Sequence, residues 1–234
     1  VEIEVAVAKV GKWATGESGD TLEMVERPHG GLSLVLVDGQ RSGRAAKAIS
    51  NLVARKAISL LAEGVRDGAA ARAAHDYLYT HRGGKVSATL NILSVDLVSR
   101  TLVLSRNSQC PVILVSPGGE IQVFDEPSEP VGVHRGTKPQ IVELPLVAGI
   151  VTAVYTDGLD TAGSRSSQSL DVPAIVQKMA LEENVSAQQL ADSLLQQAVD
   201  LDEGRPLDDI SVLILRVLDR SSDGVRRMTV ELPI

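Results

Sequence analysis

The stretch DTLEMVERPHGGLSLVLVDG, Asp20 to Gly39, decides the reading of the architecture. Thr21 to Glu26 and Leu32 to Val37 are strand-length runs, and Arg27-Pro28-His29-Gly30-Gly31 between them is a turn by composition. Pairing Glu26 with Leu32 across the turn sets a register that puts Asp20 opposite Asp38 at the open end of the hairpin. Directly opposed like charges on a sheet repel, so this hairpin calls for something positive between its ends.

The neighbouring segments extend the pattern. Val1 to Val10, Val86 to Asp96, Thr101 to Arg106, Val112 to Ser116, Glu120 to Phe124, Gln140 to Leu144, Ile150 to Thr156, Ile210 to Val217 and Arg226 to Leu232 read as further strands, mostly joined by tight turns. Four helices fall between them in two pairs. Gly43 to Glu63 places Ala46, Ile49, Val53, Ala57, Leu60 and Leu61 at helical spacing, with Ser42 as N-cap and Gly64 as stop. Asp67 caps a second helix that ends at Gly83-Gly84. Val172 to Leu181 and Ala187 to about Asp202 form the second pair, and Ser186 with Gln189 makes a capping box. Short turns require antiparallel neighbours, and paired helices need a sheet face to cover. The expected class is α+β, with β-sheets covered by helix pairs.

Composition bounds the rest. The 234 residues show no internal repeat or linker, so a single domain over 1–234 is expected. Apolar residues make up 44% but aromatics only 2%, so the core must be aliphatic. The net charge of −7 argues against nucleic acid as a partner. The one cysteine, Cys110, excludes an internal disulfide framework and a Cys-based zinc site, and fits a reducing, cytoplasmic setting. No apolar run has the length of a membrane span. The first residues alternate like a strand, unlike a signal peptide, and without an initiator Met the chain can be a fragment of a longer protein.

Acidic residues recur at strand ends. Asp38-Gly39 follows one strand, Asp157-Gly158 follows another, Asp208-Asp209 precedes a third and Asp20 a fourth. Each alone is compatible with turn chemistry, because Asp and Gly are ordinary turn residues. Together they admit a second reading: antiparallel neighbours bring strand ends and starts side by side, so the carboxylates converge at one edge. Oxygen-only donors of this kind suit Mg²⁺ or Mn²⁺, and four carboxylates with water accommodate two ions.

The ordered set Ser18-Gly19-Asp20, Leu36-Val37-Asp38-Gly39-Gln40-Arg41-Ser42-Gly43, Val154-Tyr155-Thr156-Asp157-Gly158-Leu159 and Pro206-Leu207-Asp208-Asp209-Ile210-Ser211 resembles the PPM metal-dependent serine/threonine phosphatases, in their bacterial sporulation stage II E branch. Ser87-Ala88-Thr89 and Asn107-Ser108-Gln109-Cys110-Pro111 resemble strand motifs of that branch. The resemblance implies a four-layer αββα sandwich. It implies metal ligation by Asp20, Asp38, Asp157, Asp208 and the Gly39 carbonyl, with Asp209 a further ligand position, and Asp38 and Asp20 as the catalytic pair. It also implies hydrolysis of phosphoserine or phosphothreonine by attack of a metal-bridging water, in a partner-switching pathway whose phosphoprotein substrate is an anti-sigma-factor antagonist. Two departures stand out: Arg41 occupies a position where the branch commonly has Gly, and Gln40 stands where some members carry His. The rival expectations are a non-catalytic binding module of the same fold and a metal-dependent hydrolase of small phosphorylated compounds.

The remaining chemistry-bearing residues read as structural. His75 and His81 are badly spaced for one metal, Arg82-Gly83-Gly84-Lys85 lacks the full spacing of a nucleotide loop, and Cys110 beside Pro111 reads as a small buried side chain. Asp200, Asp202 and Glu203 read as a solvated helix end. The sequence does not fix the oligomeric state.

Overall fold

Alternation of inward and outward residues generates the strands, and the structure pairs them into two antiparallel sheets. It is a computed structural model that describes residues 1–182, 184–220 and 223–231. In chain order its strands are β1 (Glu2–Val10), β2 (Thr21–Glu26), β3 (Leu32–Gly39), β4 (Ala88–Asp96), β5 (Thr101–Asn107), β6 (Val112–Val115), β7 (Ile121–Phe124), β8 (Gln140–Pro145), β9 (Val151–Tyr155) and β10 (Ile210–Leu218). Its helices are α1 (Gly43–Ala62), α2 (Asp67–Arg82), α3 (Asp157–Thr161), α4 (Val172–Leu181) and α5 (Ala187–Leu201). One sheet has the order β1-β10-β9-β6-β7 and the other β2-β3-β4-β5-β8.

Three apolar layers hold four structural layers together. Strand β3 shows why. Leu34 and Leu36 point between the sheets, where they meet Leu93, Leu213 and Leu215. Val35 and Val37 point the other way, onto Ile49, Val53, Ala57 and Leu61 of α1. A strand covered on both faces needs an unbroken apolar run, which is what Leu34 to Val37 supplies. The far layer is equivalent: Leu190, Leu194 and Ala198 of α5 pack on Ile113, Ala153 and Ile214. Fully burying one such Leu contributes about 1.5–3 kcal/mol, so each layer is substantial. This αββα arrangement is the fold class expected.

The hairpin register is also as expected. Glu26 pairs with Leu32 and Thr21 with Val37, so the next rung brings in Asp20 and Asp38. The capping box on α5 forms, with Ser186 accepting from the Gln189 amide.

Several expectations are corrected. Residues 226–231 form no strand: they are exposed, and Arg226 instead pairs with Glu26; Leu232 lies outside the described residues. Asp67 does not cap α2. Arg66 is the N-cap, and the Asp67 carboxylate is used in the core, taking Arg27 Nη1 at 2.9 Å and the Ser94 hydroxyl. Ser42 sits at the N-cap of α1 but its side chain makes no capping bond. A further one-turn helix, α3, begins at Asp157 itself, where only a strand end was expected.

Candidate metal and active centre

The acidic residues come from both sheets and meet at one end of the sandwich. Asp20 precedes β2 and Asp38 lies near the end of β3, in one sheet. Asp157 opens α3 directly after β9, and Asp208 and Asp209 lead into β10, in the other.

Asp20 is fully buried. Its Oδ2 accepts from Thr156 Oγ1, just past the end of β9, at 3.0 Å and from Ser211 Oγ of β10 at 2.6 Å. Its Oδ1 is buried with no N–H or hydroxyl donor reaching it. Lys9 Nζ and Lys47 Nζ each donate to its backbone carbonyl at 2.6 Å. Burial pushes the Asp20 carboxyl up to about 6, against the pull of its two hydroxyl donors.

Asp38 is pushed further, to about 9. Burial comes first, then the charges of Asp20 and Asp157, a hydrogen bond with Asp20 that favours the protonated form, and the charge of Asp208. A carboxyl in that state uses a proton where the surroundings call for positive charge. Asp157, more open to solvent, is also raised, by desolvation first and then by Asp208 and Asp160. Asp208 remains partly exposed, 3.9 Å from Lys12 Nζ. The charges of Asp20, Asp157 and Asp208 thus bear on the one carboxyl of Asp38. Among the described residues, however, no three His, Cys, Asp or Glu side chains are grouped closely enough to hold an ion unaided.

Asp209 has a different place. It is buried, and each carboxylate oxygen takes a backbone N–H: Oδ1 from Lys12 at 2.9 Å and Oδ2 from Gly19 at 2.8 Å. It thereby ties the loop between β1 and β2, which delivers Asp20, to the segment that delivers Asp208.

The two Asp-Gly pairs are not turns. Neither Gly39 nor Gly158 has a positive φ. Each is required by close approach of backbone. A Cβ on Gly39 would stand 2.1 Å from the Ala46 carbonyl oxygen of α1, and one on Gly158 would stand 2.1 Å from the Asp209 carbonyl oxygen. The glycine in each pair lets a second segment close in beside the aspartate. Arg41 does adopt a positive φ, +76°, a region that favours glycine, which gives a backbone reason for the glycine common there in the resembled branch. Its side chain is exposed.

Sequence reasoning missed the roles of Thr156, Ser211, Lys9 and Lys47. Thr156 and Ser211 were visible only as neighbours of acidic motifs, and nothing in their spacing marks them as partners of Asp20, which lies 136 and 191 residues away.

A family model for stage II sporulation protein E (SpoIIE) matches residues 28–218. The chain belongs to the SpoIIE family. The match includes Asp38, Gly39, Asp157, Asp208 and Asp209, and begins after Asp20. Stage II sporulation protein E of Bacillus subtilis (strain 168) is 21% identical over 200 residues, which is 86% of this chain and 24% of that protein. The chain thus spans about a quarter of its curated relative. The solved PP2C phosphatase domain of B. subtilis SpoIIE, with a fragment of its regulatory domain, superposes with a TM-score of 0.80 at 20% identity, covering 93% of this chain and 64% of that one. The catalytic domain of the serine/threonine phosphatase PstP, solved with two manganese ions, gives 0.71 at 16% identity, covering 93% and 99%. These likenesses show that this SpoIIE-family chain has the PP2C fold.

Proposed function

We propose that this SpoIIE-family chain is a metal-dependent protein serine/threonine phosphatase that hydrolyses phosphoserine or phosphothreonine. The observation that carries this reading is the state of Asp38. Three further aspartates act on one partly buried carboxyl, the buried Oδ1 of Asp20 lacks a donor, and Asp38 is raised to about 9. Such a cluster fits a hard divalent cation, Mn²⁺ or Mg²⁺, because oxygen donors of net negative charge are what those ions select. A bound cation of this kind acidifies water and offsets the charge on phosphoryl oxygens.

The residues divide the remaining work. Asp20 and Asp38, with the Gly39 carbonyl, would hold one side of the metal site, and Asp157 and Asp208 would hold the other. Donor groups within the protein are too few to complete a coordination sphere, so water would supply the rest. Thr156 and Ser211 fix the Asp20 carboxylate by donating to Oδ2. Lys9 and Lys47 moderate the negative charge from behind. Asp209, with each oxygen taking a backbone N–H, acts as a positioning residue. No His stands beside Asp38, so leaving-group protonation falls to solvent in the site. The substrate is a phosphoprotein, and an anti-sigma-factor antagonist is the class that the sporulation branch implies.

The test is hydrolysis of a phosphoserine peptide with Mn²⁺, with and without chelator, in the wild type and Asp38→Ala. Activity that needs both metal and Asp38 supports the phosphatase. An inactive wild type that is not stabilised by Mn²⁺ would favour a non-catalytic module, and activity confined to small phosphoesters would favour the small-molecule hydrolase.

A further inference from the structure

The two helical layers carry opposite charge. Residues 40–87, which contain α1 and α2, have nine Lys+Arg and three Asp+Glu, a net +6; residues 171–203, which contain α4 and α5, have one Lys and seven Asp+Glu, a net −6. Helix α1 itself carries Arg44, Lys47, Arg55 and Lys56 and no acidic residue. Among the described residues none of these four has an ion-pair partner. The acids of that layer lie elsewhere: Glu63 follows α1, Asp67 is bound to Arg27, and Asp76 is beside His75 on α2.

A groove of about 490 Å³ runs between α1 and α2, lined by Asn51, Leu52, Arg55, Lys56, Ser59 and Tyr77. Lys56 Nζ lies 5.7 Å from the centroid of the Tyr77 ring, which stacks on His81. A chain of hydrogen bonds links the groove to the carboxylate centre. Lys47 donates to the Asp20 carbonyl and to Thr21 Oγ1, and Thr21 Oγ1 donates to Asn51 Oδ1 at 2.9 Å.

We propose that this basic groove docks an acidic segment of the phosphoprotein substrate, on one side of the phosphorylated residue. The proposal rests on the phosphatase reading and adds the chemistry of the substrate. Charge complementarity argues for it: an unpaired cationic row, on a chain that is acidic elsewhere, leads away from the site. The concave shape and the aromatic wall favour a peptide over a flat lipid surface. The geometry also sets the spacing. Arg44 opens the basic row in the first turn of α1, the end of the helix nearest the site. From Arg44 to Arg55, on the same face, the helix rises about 16 Å. An extended chain covers that in about five residues. Acidic side chains four to six positions from the phosphoresidue therefore reach Arg55 and Lys56.

The experiment compares two phosphoserine peptides, one with Asp/Glu four to six residues from the phosphoserine and one with Ser/Gly there, and p-nitrophenyl phosphate as a substrate without flanks. The enzymes are wild type, Arg55→Glu/Lys56→Glu, the milder Arg55→Gln/Lys56→Gln, and Lys178→Glu, which places one equivalent charge change on the opposite layer. The expected result is a loss of kcat/KM of about tenfold or more for the acidic peptide in the double reversal, carried by KM. A smaller loss is expected in the Gln pair, with the neutral peptide, p-nitrophenyl phosphate and Lys178→Glu unchanged. Equal losses on both peptides, or none, overturn the proposal. If no enzyme hydrolyses any substrate, the phosphatase reading fails separately, and fluorescence anisotropy of the labelled acidic peptide decides the groove. Binding weakened by the Arg55/Lys56 changes supports it, and unweakened or absent binding overturns it. Selective retention on phosphatidylserine vesicles, lost in the double reversal while neither peptide is affected, overturns it in favour of a lipid surface.

Discussion

The two arms of the carboxylate centre differ in how they are held. The arm from β2 and β3 is a hairpin in unbroken register, with Asp20 fully buried and Asp38 one rung beyond Thr21↔Val37. The arm from β9 and β10 ends in a one-turn helix and a loop, so Asp157 and Asp208 stay closer to solvent. The buried arm collects the electrostatic strain: Asp38 rises to about 9 and Asp20 to about 6. The lesson is a division of labour between a fixed, desolvated pair and an open pair nearer to solvent.

The largest effect that would break this comparison is on turnover. Asp38→Ala is expected to lower Mn²⁺-dependent hydrolysis by about a thousandfold or more, and Asp208→Ala by distinctly less, since electrostatic contributions in a desolvated site exceed those near water. Steady-state kinetics with a phosphoserine peptide checks this, and equal losses from the two arms would erase the distinction. Next comes the scaffold. Gly158→Ala places a Cβ against the Asp209 carbonyl and is expected to cost about 3 kcal/mol or more, comparable to other severe steric faults. Asp209→Ala strips two backbone N–H groups of their acceptor and is expected to cost about 2–4 kcal/mol. Urea unfolding reads both.

The pH dependence sharpens the same point. Because Asp38 and Asp20 titrate above the ordinary carboxylate range in the folded state, the metal-free fold holds protons that the unfolded chain has released. The stability these two carboxyls contribute is therefore full below about pH 4 and is lost as pH rises toward about 9. Thermal melts in chelator at pH 5, 7 and 9 should show Tm declining, with Mn²⁺ restoring it at the higher pH. Asp38→Asn should flatten the profile, raise the metal-free Tm at pH 8 by a few degrees and remove most of the Mn²⁺ response. Asp208→Asn should do much less. A flat wild-type profile would show that the hairpin pair is not strained. The smallest effect is at Arg41, whose left-handed backbone costs about 1 kcal/mol for a residue with a Cβ. Arg41→Gly should gain up to that amount in urea unfolding, offset in part by the entropy of a glycine in the unfolded chain.

Much of the molecule was legible without coordinates, because its information is local. Period-two alternation and the Arg27–Gly31 turn gave the first hairpin, and register followed from pairing Glu26 with Leu32, as the ladder has it. The helix pairs followed from apolar spacing, as in Ala46, Ile49 and Val53. The C-terminal segment misled for the opposite reason: residues 226–231 alternate acceptably, but no sheet edge takes them up, and Arg226 is drawn to Glu26. Asp67 reads as a cap because Asp at a helix start so often is one; a half-buried arginine nearby in space, Arg27, claims it.

The amino-acid sequence by itself therefore determined the strands, the helix pairs, the opposed Asp20 and Asp38, and the family motifs, since each is written in neighbours along the chain. Only the tertiary structure decided that Thr156, just past β9, and Ser211 of β10 hold Asp20, and that Asp209 is engaged by the backbone of a loop nearly two hundred residues away. It also decided that Gly39 and Gly158 are there for close approach and not for turns. Those outcomes depend on which atoms meet across the two sheets, and hydrogen-bond partners and steric contacts between distant segments leave no period or spacing in a sequence to be read.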